Sequence, residues 1–342
     1  MIKFGKITIS ERTPPLIIPE MGINHSGSFE IAIKIIRSAK RAGSKLIKNQ
    51  THIAEDEYSV EARKLVPKNA NQNIYNLIKK CSFTMEEEYK LKKFTERLGM
   101  EYISTPFSRA AVDRLIKLKV KLIKIGSGEF NNIPLIEYVC KQKKPLILST
   151  GMNNIEQIKN TVSILNRYKV RFALNHCTNI YPSNYSHARL NFITKLKKIF
   201  PKIIIGLSDH SNDNLTSYAS IPLGVKMIEK HFVDKKIRKG PDITSSIDES
   251  ELKELILNSK SIFEALTNKE QILEKEKSVA NFAFASVVAF RDIKKNEILT
   301  KKNIWVKRPG NGDFNASMYY RLLGKKARRD IIFNTQLKKR DI

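Results

Sequence analysis

The chain has 342 residues, more than one ordinary domain of about 100–200 residues and fewer than three. Its 41% apolar and 28% charged residues exclude wholesale disorder, and its three cysteines, Cys81, Cys140 and Cys177, lack the C-x-x-C spacing of a structural zinc site or a disulfide framework. A net charge of +28 raises nucleic-acid binding, but the 62 basic residues are 45 Lys and only 17 Arg, scattered in ones and twos, which argues against a specific nucleic-acid site.

Met1-Ile2-Lys3 leads into mixed sequence with no leader segment, and no apolar run approaches the roughly 20 residues of a membrane span, so a cytoplasmic protein is expected. Apolar runs at 16–19, 46–48, 102–104, 122–125, 146–149, 172–175, 203–206 and 225–229 read as strands. Between and after them, 28–42, 86–98, 110–118, 133–140, 155–168, 188–199, 214–221 and 248–266 read as amphipathic helices. Eight βα units within residues 1–266 predict a (β/α)8 TIM barrel. Residues 267–280 alternate Lys and Glu and read as a linker. Residues 281–342 open with a β-prone run at 282–290 and read as a small β-rich domain that needs a neighbour to lean on.

Every expected strand ends in, or is followed by, a residue able to do chemistry. These are Glu20, Lys48 with Gln50, Thr105, Lys124 with Ser127, Ser149, His176 with Asn179, Ser208 with His210, and His231. In a closed barrel all eight carboxyl ends converge on one mouth, where the active site lies. His210 and His231 follow adjacent strands, and two imidazoles with open positions suit a catalytic divalent ion such as Mn2+. Lys48 and Lys124, with Ser127, Ser149, Asn179 and Ser208, supply charge and directed donors for a small anion bearing phosphate and carboxylate. A Schiff-base role is the rival reading for Lys124. The carboxylates Glu20, Glu129 and Asp242 can orient hydroxyls or relay protons. His25 is expected to hold a loop, and His52 and His187 carry no assigned role.

These segments resemble the sialic acid synthases. The resemblance is carried by Pro19-Glu20-Met21-Gly22-Ile23-Asn24-His25, Lys48-Asn49-Gln50-Thr51-His52, Lys124-Ile125-Gly126-Ser127-Gly128-Glu129, Gly206-Leu207-Ser208-Asp209-His210 and Glu229-Lys230-His231-Phe232. Further on, Val306-Lys307-Arg308-Pro309-Gly310 looks like the family's antifreeze-like SAF domain. The resemblance implies condensation of phosphoenolpyruvate with N-acetylmannosamine to a nine-carbon 2-keto acid, closest to the bacterial N-acetylneuraminate synthases. It implies that His210 and His231 hold Mn2+, or Mg2+ or Co2+, which polarises the sugar aldehyde. It places Lys48, Thr105, Lys124, Ser127, Ser149, Asn179 and Ser208 around phosphoenolpyruvate, and Glu20, Gln50, Tyr181 and Asp242 around the sugar. Glu129 matches a carboxylate near the reacting carbon. Arg308 matches an arginine that one subunit of a domain-swapped homodimer inserts into the other's mouth. Asn49, where relatives carry an aromatic or histidine residue, is expected to bear on the sugar preference. Legionaminate or pseudaminate synthesis from a 2,4-diacetamido-6-deoxy sugar is the alternative within the class, and nucleic-acid binding the alternative outside it.

Overall fold

The computed structural model describes residues 1–67, 72–267 and 271–342. The chain divides into two compact units, Met1–Thr267 and Asn268–Ile342. The first opens with a hairpin, β1 (Ile2–Phe4) and β2 (Ile7–Ile9), whose three-residue runs were too short to register as strands in the sequence. Its turn needs Gly5, which adopts φ +52 and whose added Cβ would lie 1.9 Å from a Glu101 carboxylate oxygen.

Eight parallel strands follow: β3 (Leu16–Glu20), β4 (Leu46–Thr51), β5 (Glu101–Pro106), β6 (Ile123–Ile125), β7 (Leu146–Ser149), β8 (Phe172–Cys177), β9 (Ile204–Asp209) and β10 (Met227–His231). They close in the order β10-β3-β4-β5-β6-β7-β8-β9, the TIM barrel that the βα count predicts. Each connection carries an expected helix: α1 (Phe29–Arg41), α4 (Met85–Arg97), α5 (Arg109–Lys117), α6 (Ile133–Lys141), α7 (Ile155–Arg167), α8 (Asn191–Ile199), α9 (Leu215–Ser220) and α10 (Glu249–Thr267). Two short helices, α2 (Ala54–Glu57) and α3 (Ile74–Cys81), add to the β4–α4 connection and have no counterpart in the sequence reading.

Local chemistry sets these boundaries. Ser28 Oγ accepts the Ile31 N–H at the start of α1, and reciprocal capping boxes, Thr84 with Glu87 and Asn154 with Gln157, start α4 and α7. The buried stripe Ala32, Ile35, Ile36 and Ala39 then presses α1 onto the barrel.

Alternation along each strand sorts side chains between two cores. Outward residues such as Ile17, Ile47, Tyr102, Ile123, Leu148, Leu174, Ile205 and Ile228 pack beneath the helices. Inward residues Ile18, Leu46, Ile103, Leu122, Ile147, Ala173, Ile204 and Met227 form a separate apolar layer with Ile2, Phe4, Ile7 and Ile9 of the hairpin. The hairpin thus plugs the amino-terminal end of the barrel, and the mouth is left to the residues that follow this layer.

In the second unit, β11 (Ser286–Ala289) pairs antiparallel with β12 (Ile304–Lys307), over a core that includes Val287, Ile293, Leu299, Ile304, Leu322 and Leu337. The expected linker is corrected in part. Residues 268–270 lie outside the described residues, while α11 (Glu276–Ala283) is helical where linker and then strand were expected. Glu, Lys and Ala are good helix formers, and the β-prone run pairs only from Ser286 onward.

Candidate active site

A cavity of about 260 Å³ opens at the carboxyl ends of the barrel strands. It exists because each inward series continues past the apolar layer. Two residues along from Ile18, Leu46, Ile103, Leu122, Ile147 and Met227 stand Glu20, Lys48, Thr105, Lys124, Ser149 and Glu229. Register places Glu20 between Lys48 of β4 and His231 of β10, and Gln50 opposite Thr105. The cavity wall also includes Ser127, Asn179, Tyr181, Ser208, His210 and Asp242.

The lysines stand in a buried charge ladder. Lys48 pairs with Glu20 and lies 3.7 Å from Glu229 Oε1, which is in turn 3.5 Å from Lys124 Nζ and 3.4 Å from Ser208 Oγ. Lys124 Nζ donates to Ser149 Oγ at 2.7 Å and to the Ile125 carbonyl at 3.2 Å. That set of partners suits an ammonium held as an anion clamp, rather than a free amine awaiting a carbonyl. Burial, opposed by Glu229 and reinforced by Lys124, brings the Lys48 ammonium down to about 7, and an incoming anion would favour its charged form. Glu229 behaves oppositely: burial pushes its carboxyl up, but Lys124, Lys48 and His210 outweigh this and hold it below the usual range.

Ser127 Oγ accepts the Gly151 N–H at 3.1 Å. A side chain at 151 would displace Asn179, because an added Cβ would lie 1.8 Å from its Oδ1. The tight β7 turn therefore brings Ser127, Gly151 and Asn179 together on one side of the cavity.

His210 and His231 face each other with ring centroids 5.4 Å apart, and the Tyr181 ring stands 4.1 Å from His210. His210 Nδ1 donates to the Thr178 carbonyl at 2.7 Å; against burial, Cys177 and that carbonyl hold the imidazole above its ordinary range, and in the neutral ring the lone pair is on Nε2. His231 Nδ1 is buried with no hydrogen-bond partner, 3.7 Å from Asp242 Oδ2. Burial, then His210 and the nearby lysines, push the His231 imidazole well below its ordinary range, so the ring is neutral. Two neutral-capable imidazoles, one with an orphaned nitrogen, fit a divalent ion of the Mn2+ type in an open site. Among the described residues no group of three or more His, Cys, Asp or Glu gathers as a metal cluster.

Glu129 stands beside the cavity rather than on its wall. It lines an adjoining groove, with Asp56, Arg109 and Asn132, and it accepts from Asn132 Nδ2 at 2.9 Å. Glu57, Tyr58, Phe107 and Gly128 border both spaces. His176 is also displaced: its odd step along β8 turns it away from the cavity to Nε2 contact with the Ala188 carbonyl, 2.8 Å away. Asn49 does not line the cavity but is buried behind the barrel wall, where Nδ2 donates to the Tyr102 hydroxyl at 2.8 Å. Arg308 belongs to the second unit, exposed after β12.

Sequence reasoning missed Glu229, Cys177, His52 and Glu57, all of which line the cavity. Counting in twos from Met227 or Asn175 would have found the first two. His52 joins Glu57 at 2.7 Å and Gln50 at 3.1 Å, and stacks on Phe107. His25 holds its loop as expected, with Nδ1 accepting the Gly27 N–H at 3.0 Å.

Comparison with known proteins adds identity to this geometry. Residues 35–271 match the NeuB family and residues 284–342 match the SAF domain. The chain is 34% identical over 324 residues to the N,N'-diacetyllegionaminic acid synthase of Campylobacter jejuni, covering 92% of this chain and 96% of the relative. It is 30% identical over 317 residues to the human N-acetylneuraminate-9-phosphate synthase, covering 92% and 88%. The solved N-acetylneuraminic acid synthetase of Leptospira borgpetersenii superposes with a TM-score of 0.75 at 29% identity, over 81% of this chain and 94% of that one. With the family match spanning most of the barrel, the chain belongs to the NeuB family of sialic acid synthases and is a carbon–carbon bond-forming enzyme of that class.

Proposed function

We propose that the protein condenses phosphoenolpyruvate with open-chain N-acetylmannosamine and water to give N-acetylneuraminate and phosphate. One observation carries this reading: a two-lysine anion clamp and a pair of imidazoles share one cavity. Lys48, Lys124, Ser127, Ser149, Thr105, Asn179 and Ser208 hold the phosphate and carboxylate. Glu20, Gln50, Tyr181 and Asp242 orient the sugar. C3 of phosphoenolpyruvate attacks the aldehyde carbon, water adds at C2, and phosphate leaves with cleavage of the C–O bond. The clamp supports the charge on phosphate throughout. When bound at His210 and His231, Mn2+, or Mg2+ or Co2+, supplies Lewis-acid polarisation of the aldehyde. Glu20 and Asp242 are the cavity carboxylates placed for proton transfer, with Glu129 at the adjoining groove.

The enzyme works as a domain-swapped homodimer in which the partner subunit's Arg308 meets the N-acetyl group, and it acts in the cytoplasm. Among the described residues no helix is long and apolar enough to cross a membrane. A second reading, a 2,4-diacetamido-6-deoxy sugar as acceptor giving legionaminate or pseudaminate, is favoured by the 34% identity to the Campylobacter jejuni synthase.

Phosphate release from phosphoenolpyruvate by EDTA-stripped protein, with and without Mn2+ and with each sugar in turn, tests both. Metal-dependent release with N-acetylmannosamine and a product of the mass of N-acetylneuraminate is expected. Release only with a diacetamido sugar would move the product, and silence with every sugar would overturn the reaction.

A further inference from the structure

We propose that a buried ion pair behind the barrel wall, Lys230 with Asp209, is the positioning device that sets His210 and His231 at their working separation. The inference rests on the reading of those histidines as a metal-binding pair. Asp209 directly precedes His210 and Lys230 directly precedes His231, and the β9–β10 register places Lys230 opposite Asp209. Because alternate residues face opposite sides of a strand, both turn outward while Ser208, Glu229 and His231 face the cavity.

The pair is closed to water, with side-chain exposure of 0% for Lys230 and 4% for Asp209. All three ammonium protons are used: Nζ donates to Asp209 Oδ2 at 3.0 Å, to the Ser211 carbonyl at 2.8 Å and to Ser211 Oγ at 3.0 Å. Asp209 is equally committed. Its Oδ2 also accepts from Thr216 Oγ1 at 2.6 Å and Ser217 Oγ at 2.7 Å, and its Oδ1 accepts the Ser211 N–H at 2.9 Å. Both strands and the first turn of α9 are thereby tied at one rung.

The inner side of the same strands differs, for Glu229 Oε2 and His231 Nδ1 are buried without partners. A buried ion pair is a weak source of net stability, because apolar residues of similar volume do as well. What it does fix is register, since sliding or splaying the strands would strand a charge. The two histidines are the residues that directly follow this last rung, and they inherit its spacing. Groups that hydrogen-bond to metal ligands change metal affinity by about 10- to 100-fold, and this pair acts one step further out, through the backbone of the residues that precede the two histidines.

Mn2+ binding to the metal-free enzyme, followed by electron paramagnetic resonance, tests this with phosphoenolpyruvate binding as the metal-independent control. In the double variant Asp209→Leu/Lys230→Met, phosphoenolpyruvate affinity should stay within about twofold of wild type while the Mn2+ Kd rises about 10- to 100-fold. Should that variant not fold, Thr216→Val/Ser217→Ala keeps the ion pair and removes two of its anchors, and its Mn2+ Kd should rise roughly threefold or more. An unchanged Mn2+ Kd in whichever pair folds, or equal loss of both ligands, would overturn the proposal alone. Wild-type enzyme that binds no Mn2+ would overturn the metal reading and the proposal with it.

Discussion

Within one barrel, the floor and the mouth are built by the same strands two residues apart, yet their polar accounting differs. The floor, from Ile18 and Leu46 round to Met227, is carbon packed on carbon beneath the β1–β2 hairpin. In the mouth, Glu20 Oε1, Thr105 Oγ1, Asn175 Oδ1 and Nδ2, Glu229 Oε2 and His231 Nδ1 are buried without partners. Each such atom costs about 1–3 kcal/mol when left unsatisfied. The floor therefore carries stability and the mouth carries unmet bonding capacity, which a ligand rich in oxygen can satisfy.

The sharpest break of that contrast is Lys124→Ala, which removes the donor to Ser149 and the partner of Glu229. It should lower kcat/KM of the folded enzyme by about 10³-fold and also lower the melting temperature, because buried Glu229 loses one of its two lysine partners, as read by steady-state kinetics and calorimetry on one preparation. Ile9→Ala does the reverse, since Ile9 is wholly buried in the floor. It should cost about 2–5 kcal/mol in urea unfolding and leave kcat of the folded enzyme unchanged.

Next comes pH. Burial, with His52 adding to it, lowers the His25 imidazole from 6.5 to about 3. The folded ring is neutral, whereas the unfolded one takes up a proton below about 6.5, so this contribution to stability is complete above that pH. It should fall by about 1.4 kcal/mol per unit as pH drops through the window down to about 3. Unfolding curves of wild type and His25→Gln at several pH values should diverge in slope by that amount. The smallest effect is Thr105→Val: removing an unpartnered hydroxyl should raise stability by about 1 kcal/mol while weakening phosphoenolpyruvate binding severalfold.

Much of this was legible in the sequence, and for one reason. A barrel strand is an apolar run whose polar end marks the mouth, so Lys48, Lys124, Ser149 and His231 announced themselves. What stayed hidden depended on facing rather than on type. Asn49 and His176 sit one step out of phase and face away, while Glu229 and Cys177 sit in phase inside motifs valued for their neighbours. Glu129 follows the end of β6, where the alternation no longer applies. The hairpin escaped because three-residue strands of Ile, Lys, Phe and Thr carry too little pattern, and α11 because a Lys- and Glu-rich stretch reads as a linker until Ala and Phe complete it.

The most direct test of floor against mouth is the affinity of phosphoenolpyruvate, by calorimetry without metal or sugar, for wild type, Lys124→Ala and Ile9→Ala. The anion clamp predicts that wild type and Ile9→Ala bind alike and that Lys124→Ala loses about tenfold or more. Undiminished binding by Lys124→Ala, with Ile9→Ala the weaker binder, would contradict the placement of the substrate anion in this mouth.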